Sequence, residues 1–163
     1  MNSQDSLDTL IELLYATFAP YAEPGESFCS HCYSDSELQR IRLTPLQQLS
    51  PDDARTLLWE AADHWESSDI YRHYLPRMLQ VMGPPFREED LYVEHLFETI
   101  SSLGFPSWPA DERLAVTTYL TKLASIIKFV LPEDQEKFLL QVQNLERLPN
   151  EPLQPSAQKT RRG

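Results

Sequence analysis

Apolar residues recur at three- and four-residue steps through nearly every segment of this chain, and no stretch alternates apolar and polar residues over five or more positions. The first pattern puts apolar side chains on one face of a helix. The second is what a half-buried strand needs. The chain is therefore constrained to an all-α fold, a single domain built as an irregular helical bundle or a short HEAT-like helical stack.

The punctuation is explicit. Leu7, Leu10, Ile11, Leu14 and Phe18 share one helical face, and Pro20 disfavours helical geometry in Ala19, so a first helix starts after Asp5 or Ser6 and stops there. Ser34 and Glu37 have capping-box spacing ahead of a short helix from about Asp35 to Arg42. Thr44-Pro45 and Ser50-Pro51 both read as an N-cap followed by proline at the first helical position. The second opens a stripe of Ala54, Leu57, Leu58, Ala61, Ala62 and Trp65. Tyr71, Tyr74, Leu75, Met78, Leu79 and Met82 continue at helical spacing, and Pro76 inside that run predicts a kink or a split near Tyr74.

A helix from about Glu88 to Leu103 turns Tyr92, Leu96, Phe97 and Ile100 inward and stops at Gly104. A long helix from about Ala110 to Val130 buries Val116, Leu120, Leu123, Ile127 and Val130. Phe138, Leu139, Val142 and Leu145 define the last one. The short turns predict helix pairs over 51–82 and 88–130. Residues 1–148 then form the helical domain, and the proline-rich, polar segment 149–163 reads as a flexible tail.

Charge narrows the function classes. The formal net charge is −11, and the tail itself is about +2, which leaves the body near −13. Such a body repels phosphate backbones and anionic lipid, so neither nucleic acid nor membrane is an expected partner. No apolar run approaches the ~18–20 residues of a membrane span. The opening Met1-Asn2-Ser3-Gln4-Asp5 has no basic residue ahead of the first apolar stretch, so a cytoplasmic protein with reduced thiols is expected.

Asp52, Asp53, Glu60, Asp63, Glu66 and Asp69 decorate one helix and its end, and Glu88, Glu89, Asp90, Glu94 and Glu98 decorate another. These acids are either the solvated faces of amphipathic helices or a surface complementary to a basic protein. Arg72 and Arg77 with Tyr71 and Tyr74 make a second cluster, of residue types enriched at binding hot spots, although half of them must face the core.

Catalytic patterns are scarce. Four glycines leave no glycine-rich phosphate cradle, and no nucleophile elbow or metalloprotease motif is present. Asp63-His64 and Glu94-His95 are sequence neighbours that diverge around a helix and form no dyad. The sharpest local motif is Cys29-Ser30-His31-Cys32. Two thiolates at this spacing can grip one zinc ion, with His31 or His73 as further ligands and His64 and His95 as weaker ones. The alternative is two reduced cysteines packed beside a loop. A redox role lacks the βαβ context that lowers a thiol pKa.

The stretch from Cys29 to Met82 resembles an uncharacterised bacterial helical protein family. The carrying residues are the CxxC pair, Pro45-Leu46-Gln47-Gln48-Leu49-Ser50, Trp65 and the His-aromatic-Leu-Pro-Arg motif His73-Tyr74-Leu75-Pro76-Arg77, with Trp108-Pro109 and Glu112 later. The resemblance covers about half the chain. It departs from the family after Trp65, where Glu66 stands in place of a glycine. It implies an all-helical bacterial cytosolic protein and pairs Cys29, Cys32 and His73 as a shared structural site. It supplies no activity.

Small size, helicity and acidity together point to a protein-binding protein, in the manner of an immunity or antitoxin protein neutralising a basic bacterial toxin domain. The alternatives are a structural or regulatory scaffold, and a zinc-dependent enzyme that holds its metal through Cys29, Cys32 and His73 with an open fourth position.

Overall fold

In a computed structural model, residues 3–21, 35–64, 68–83, 93–127, 129 and 131–147 are described. They form seven α-helices: α1 Ser3–Phe18, α2 Asp35–Leu43, α3 Pro51–His64, α4 Ser68–Val81, α5 Val93–Ser102, α6 Ala110–Ile126 and α7 Pro132–Asn144. Single turns of 3-10 helix occur at Leu46–Gln48 and Phe105–Ser107. No strand is found among the described residues, as the periodicity predicts.

Local chemistry sets several of these boundaries. Ser50 Oγ accepts the Asp53 backbone N–H at 3.1 Å, so Ser50 is the N-cap of α3 and Pro51 fills the position whose N–H no helix uses. Gly104 has φ 78°, the left-handed conformation that costs an L side chain, and it ends α5 where expected.

Four points differ from expectation, the first being that α1 begins at Ser3, ahead of the start expected after Asp5 or Ser6. Thr44-Pro45 opens only the 3-10 turn, because the Thr44 hydroxyl bonds back to the Arg40 carbonyl at 2.6 Å instead of capping forward. α4 runs unbroken through Pro76, which lies buried inside it. That proline cannot donate to the Arg72 carbonyl, but packing on both sides holds the helix together across the missing bond. α6 stops at Ile126, four residues short of Val130, and Ile127 turns extended at ψ 135°. The early stop lets α7 fold back, and Gln135 Nε2 donates to the Ala124 carbonyl at 2.9 Å, satisfying an acceptor that the helix end leaves open.

α1 packs along α6 and against α4, α3 packs against both α4 and α5, and α7 packs on α6. The α1–α6 contact joins helices far apart in sequence. A solenoid in which each repeat touches only its neighbours has no such contact, so the architecture is an irregular bundle and not a HEAT-like stack. The expected 51–82 pair is present as α3–α4. α5 takes α3 as its main neighbour, so the expected 88–130 pair does not form as a hairpin.

The core is centred on α4, where Tyr71, Tyr74, Leu75, Met78 and Leu79 are all buried. Leu7, Leu14 and Phe18 of α1 and Val116, Leu120 and Leu123 of α6 close over it. Among the described residues no helix is long and apolar enough to cross a membrane.

Candidate functional site

The expected acidic surface is carried on neighbouring helices. Asp52 and Asp53 lie in the first turn of α3 and Asp69 in the first turn of α4, where carboxylates complement the helix dipole. Glu98 is exposed on α5. Because α3 packs against both α4 and α5, these acids sit on one contiguous set of helices. The Asp52 side chain is 93% exposed and pairs with Arg55 at 3.1 Å. Asp53 is held by Arg40, which bonds both its carboxylate oxygens, and that guanidinium pulls the Asp53 carboxyl below its ordinary pKa. Glu60 and Asp63 fall within α3, where only the backbone is described, and Glu66, Glu88, Glu89 and Asp90 lie outside the described residues.

The arginines of α4 do not form the outward hot spot that their residue types suggest. Tyr71 and Tyr74 are buried core residues. Arg77 donates through Nε and Nη2 to the Leu49 carbonyl, at 2.8 and 2.7 Å, and through Nη1 to Gln80 Oε1 at 2.7 Å. Tyr15 donates to the same Gln80 oxygen at 2.6 Å, so α1, α4 and the 3-10 turn are tied together there.

Arg72 is the centre of a second interior network. Its Nη1 donates to the Tyr21 hydroxyl at 2.6 Å, and that hydroxyl donates to Glu112 Oε1 at 2.5 Å. Arg72 Nε stands 3.7 Å from Glu112 Oε2, and the two side chains are only 12% and 7% exposed. The guanidinium also lies 4.3 Å from the centre of the Trp108 ring and 5.3 Å from that of Tyr21. An ion pair withdrawn from water needs this kind of support, since the mutual attraction must offset two desolvation penalties. Burial raises the Tyr21 pKa first and the Glu112 carboxylate second, with Arg72 opposing them, so the phenol stays protonated as the donor. Tyr21 carries no sequence signal that marks it for this network. Arg72 stands in the Arg/Tyr cluster of the α4 segment and Glu112 follows Trp108-Pro109, but nothing in their spacing pairs residues on helices so far apart.

Of the expected metal ligands, Cys29, Cys32 and His31 lie outside the described residues. His73 is half-buried, with Nδ1 at 2.8 Å from the Tyr21 carbonyl and its ring edge-on to Tyr74 at 4.6 Å. A carbonyl only accepts, so Nδ1 is the nitrogen that donates in this bond. Among the described residues no group of three or more His, Cys, Asp and Glu is arranged to hold a metal ion. His64 and His95 fall in α3 and α5.

No protein-family model matches the chain, and no curated protein or solved structure matches it significantly.

Proposed function

We propose that this is a binding protein of the bacterial cytoplasm, without chemistry of its own, that presents an acidic surface to a basic protein partner in the manner of an immunity or antitoxin protein. What supports the reading is the excess of acid over base, a formal net charge of −11. Arg40 and Arg55 pair Asp53 and Asp52, while three further arginines are engaged in internal bonds. Arg72 is paired inside the bundle, Arg77 is held by a backbone carbonyl and Arg113 donates to the Trp108 carbonyl at 3.0 Å. Asp52, Asp69 and Glu98 remain exposed on adjoining helices. A surface of one sign steers an oppositely charged partner and excludes others.

Charge reversal tests this. A triple variant Asp52→Lys, Asp69→Lys, Glu98→Lys should fold normally, since all three side chains are exposed, and should lose partner affinity at least tenfold, or about 1.4 kcal/mol. Unchanged capture of the same partner by the triple variant would show that this surface plays no part in binding. Capture of no partner by either protein would count against the binding reading and bring the metal question first.

His73 favours a second reading, a zinc site completed by Cys29 and Cys32. Metal-bound histidines commonly donate their other ring N–H to a carbonyl, and His73 does so to Tyr21, leaving Nε2 for a ligand. Protein purified without chelator is then expected to carry close to one zinc per chain, lost in Cys29→Ser. Zinc-free protein by elemental analysis would end both the structural and the enzymatic forms of this reading.

A further inference from the structure

The end of α7 and one face of α5 enclose a groove of about 390 Å³. Phe97 of α5 meets Phe138 of α7 edge to face at 5.5 Å, which brings the two helices close. Beside that contact the buried Phe97 and Leu145 form an apolar floor, and Glu98, Ser101, Gln141 and Asn144 stand around it. Glu98 is exposed and is the one charged residue of the lining. Asn144 Oδ1 is buried and accepts no hydrogen bond among the described residues. An amide oxygen withdrawn from water and left unpaired costs free energy, so the groove is incomplete without a donor.

We propose that the occupant is the chain's own segment 149–163, whose cluster of Lys159, Arg161 and Arg162 closes on Glu98 and Asn144. Charge and reach select it. The segment is about +2 on a body near −13, and a guanidinium brings several N–H donors to a site that offers a carboxylate and an unpaired amide oxygen. The described chain ends at Arg147, three residues past Asn144, so the segment starts at the rim of the groove itself. Lys159 lies about 12 residues further on, enough for about 40 Å at full extension and more than a return to the rim requires. A tether of this length holds the cluster at an effective concentration on the order of millimolar. A second copy brings another −11 instead, and a free basic protein has to displace the tether.

The segment then acts as an intramolecular competitor. On the binding reading, a basic partner that reaches Glu98 must displace it first, which rejects weak cationic ligands. The docking itself does not depend on that reading, since it needs no second protein. Held by an exposed carboxylate, the contact is sensitive to salt.

The test is amide NMR of the full chain at about 0.05 M and about 0.5 M salt, beside the triple variant Lys159→Glu, Arg161→Glu, Arg162→Glu of the same length. At the lower salt the backbone signals of Glu98, Ser101 and Leu145 and the side-chain amide of Asn144 are expected to differ between the two proteins. At the higher salt they should coincide. The steady-state proton–nitrogen NOE at residues 159–162 measures the contact from the other side. It should fall in the triple variant, in Glu98→Lys and at the higher salt, and recover when Glu98→Lys is combined with the triple reversal. Groove signals identical in the two proteins at low salt, or NOE values indifferent to Glu98→Lys, would overturn the inference. So would groove signals that move with protein concentration, which would assign the site to a second copy. No partner is present in the sample, so this inference and the binding reading fail separately.

Discussion

Replacing Glu112 with leucine is expected to destabilise the fold by about 3–5 kcal/mol, an unusually large effect for a single substitution at a polar residue. The loss of the carboxylate leaves the Arg72 guanidinium buried beside Trp108 with the Tyr21 hydroxyl as its hydrogen-bond partner. The stacking on Trp108 offsets only a part of the desolvation cost, on the order of 1–2 kcal/mol. The Tyr21 hydroxyl also loses its acceptor, and with it goes a bond that fixes the end of α1 against the start of α6. For a chain of this length the melting temperature should fall by roughly 10 °C.

The double variant Arg72→Met, Glu112→Leu supplies the internal check. It removes both charges, and methionine can still pack on the Trp108 ring, so most of the loss should be recovered. Urea unfolding of wild type, the two single variants and the double variant measures the coupling. Equal losses in single and double variants would mean that the side chains matter for their shape and not as an ion pair.

Alkaline pH is the second large lever. Burial raises the pKa of Tyr71 and of Tyr119 far above the ordinary 10.0, and Tyr15 and Tyr21 are raised as well. The unfolded chain releases these phenolic protons near pH 10, while the folded chain keeps them. Stability is therefore fully present below the unfolded value and declines as pH rises above it. Each fully buried phenol contributes a slope of about 1.4 kcal/mol per pH unit, so Tyr71 and Tyr119 together give about 3. Urea unfolding at a series of pH values from about 9 upward should show that decline, with tyrosinate absorbance appearing together with unfolding and not before it. In Tyr119→Phe the slope should drop by about half, on a baseline lowered by about 1 kcal/mol for the lost bond to the Leu79 carbonyl. Tyrosinate absorbance rising in full while the protein stays folded would contradict the burial of these two rings.

The helices are legible in the sequence because their cause is local. The stripe from Leu7 to Phe18, the Ser50-Pro51 start and the Gly104 stop each depend on neighbours within a turn or two, and each stands where the spacing places it. What is not legible is non-local. Pro76 should break a helix on its own, yet α4 is enclosed by α1 and α3, and tertiary packing outweighs one missing hydrogen bond. The end of α6 is set by α7, whose Gln135 claims the Ala124 carbonyl, and no periodicity contains that information.

The candidate sites divide along the same line. Acidic first turns follow from spacing and dipole, which is why Asp52, Asp53 and Asp69 can be placed from the sequence. The apolar stripe already turns Tyr74 inward, but for Arg72 residue type suggests surface recognition, because residue type is blind to direction. The fold turns both inward, and it pairs Arg72 with a tyrosine just beyond the end of α1 and a glutamate in the first turn of α6.

The most direct test of the central claim is capture of partners from a lysate of the native host on the immobilised full chain, eluted by a salt gradient. The expected result is one dominant basic protein, bound in a fixed ratio at low salt, released as ionic strength rises and lost on the Asp52, Asp69 and Glu98 reversal. A partner whose retention is indifferent to salt and to that reversal would contradict the claim.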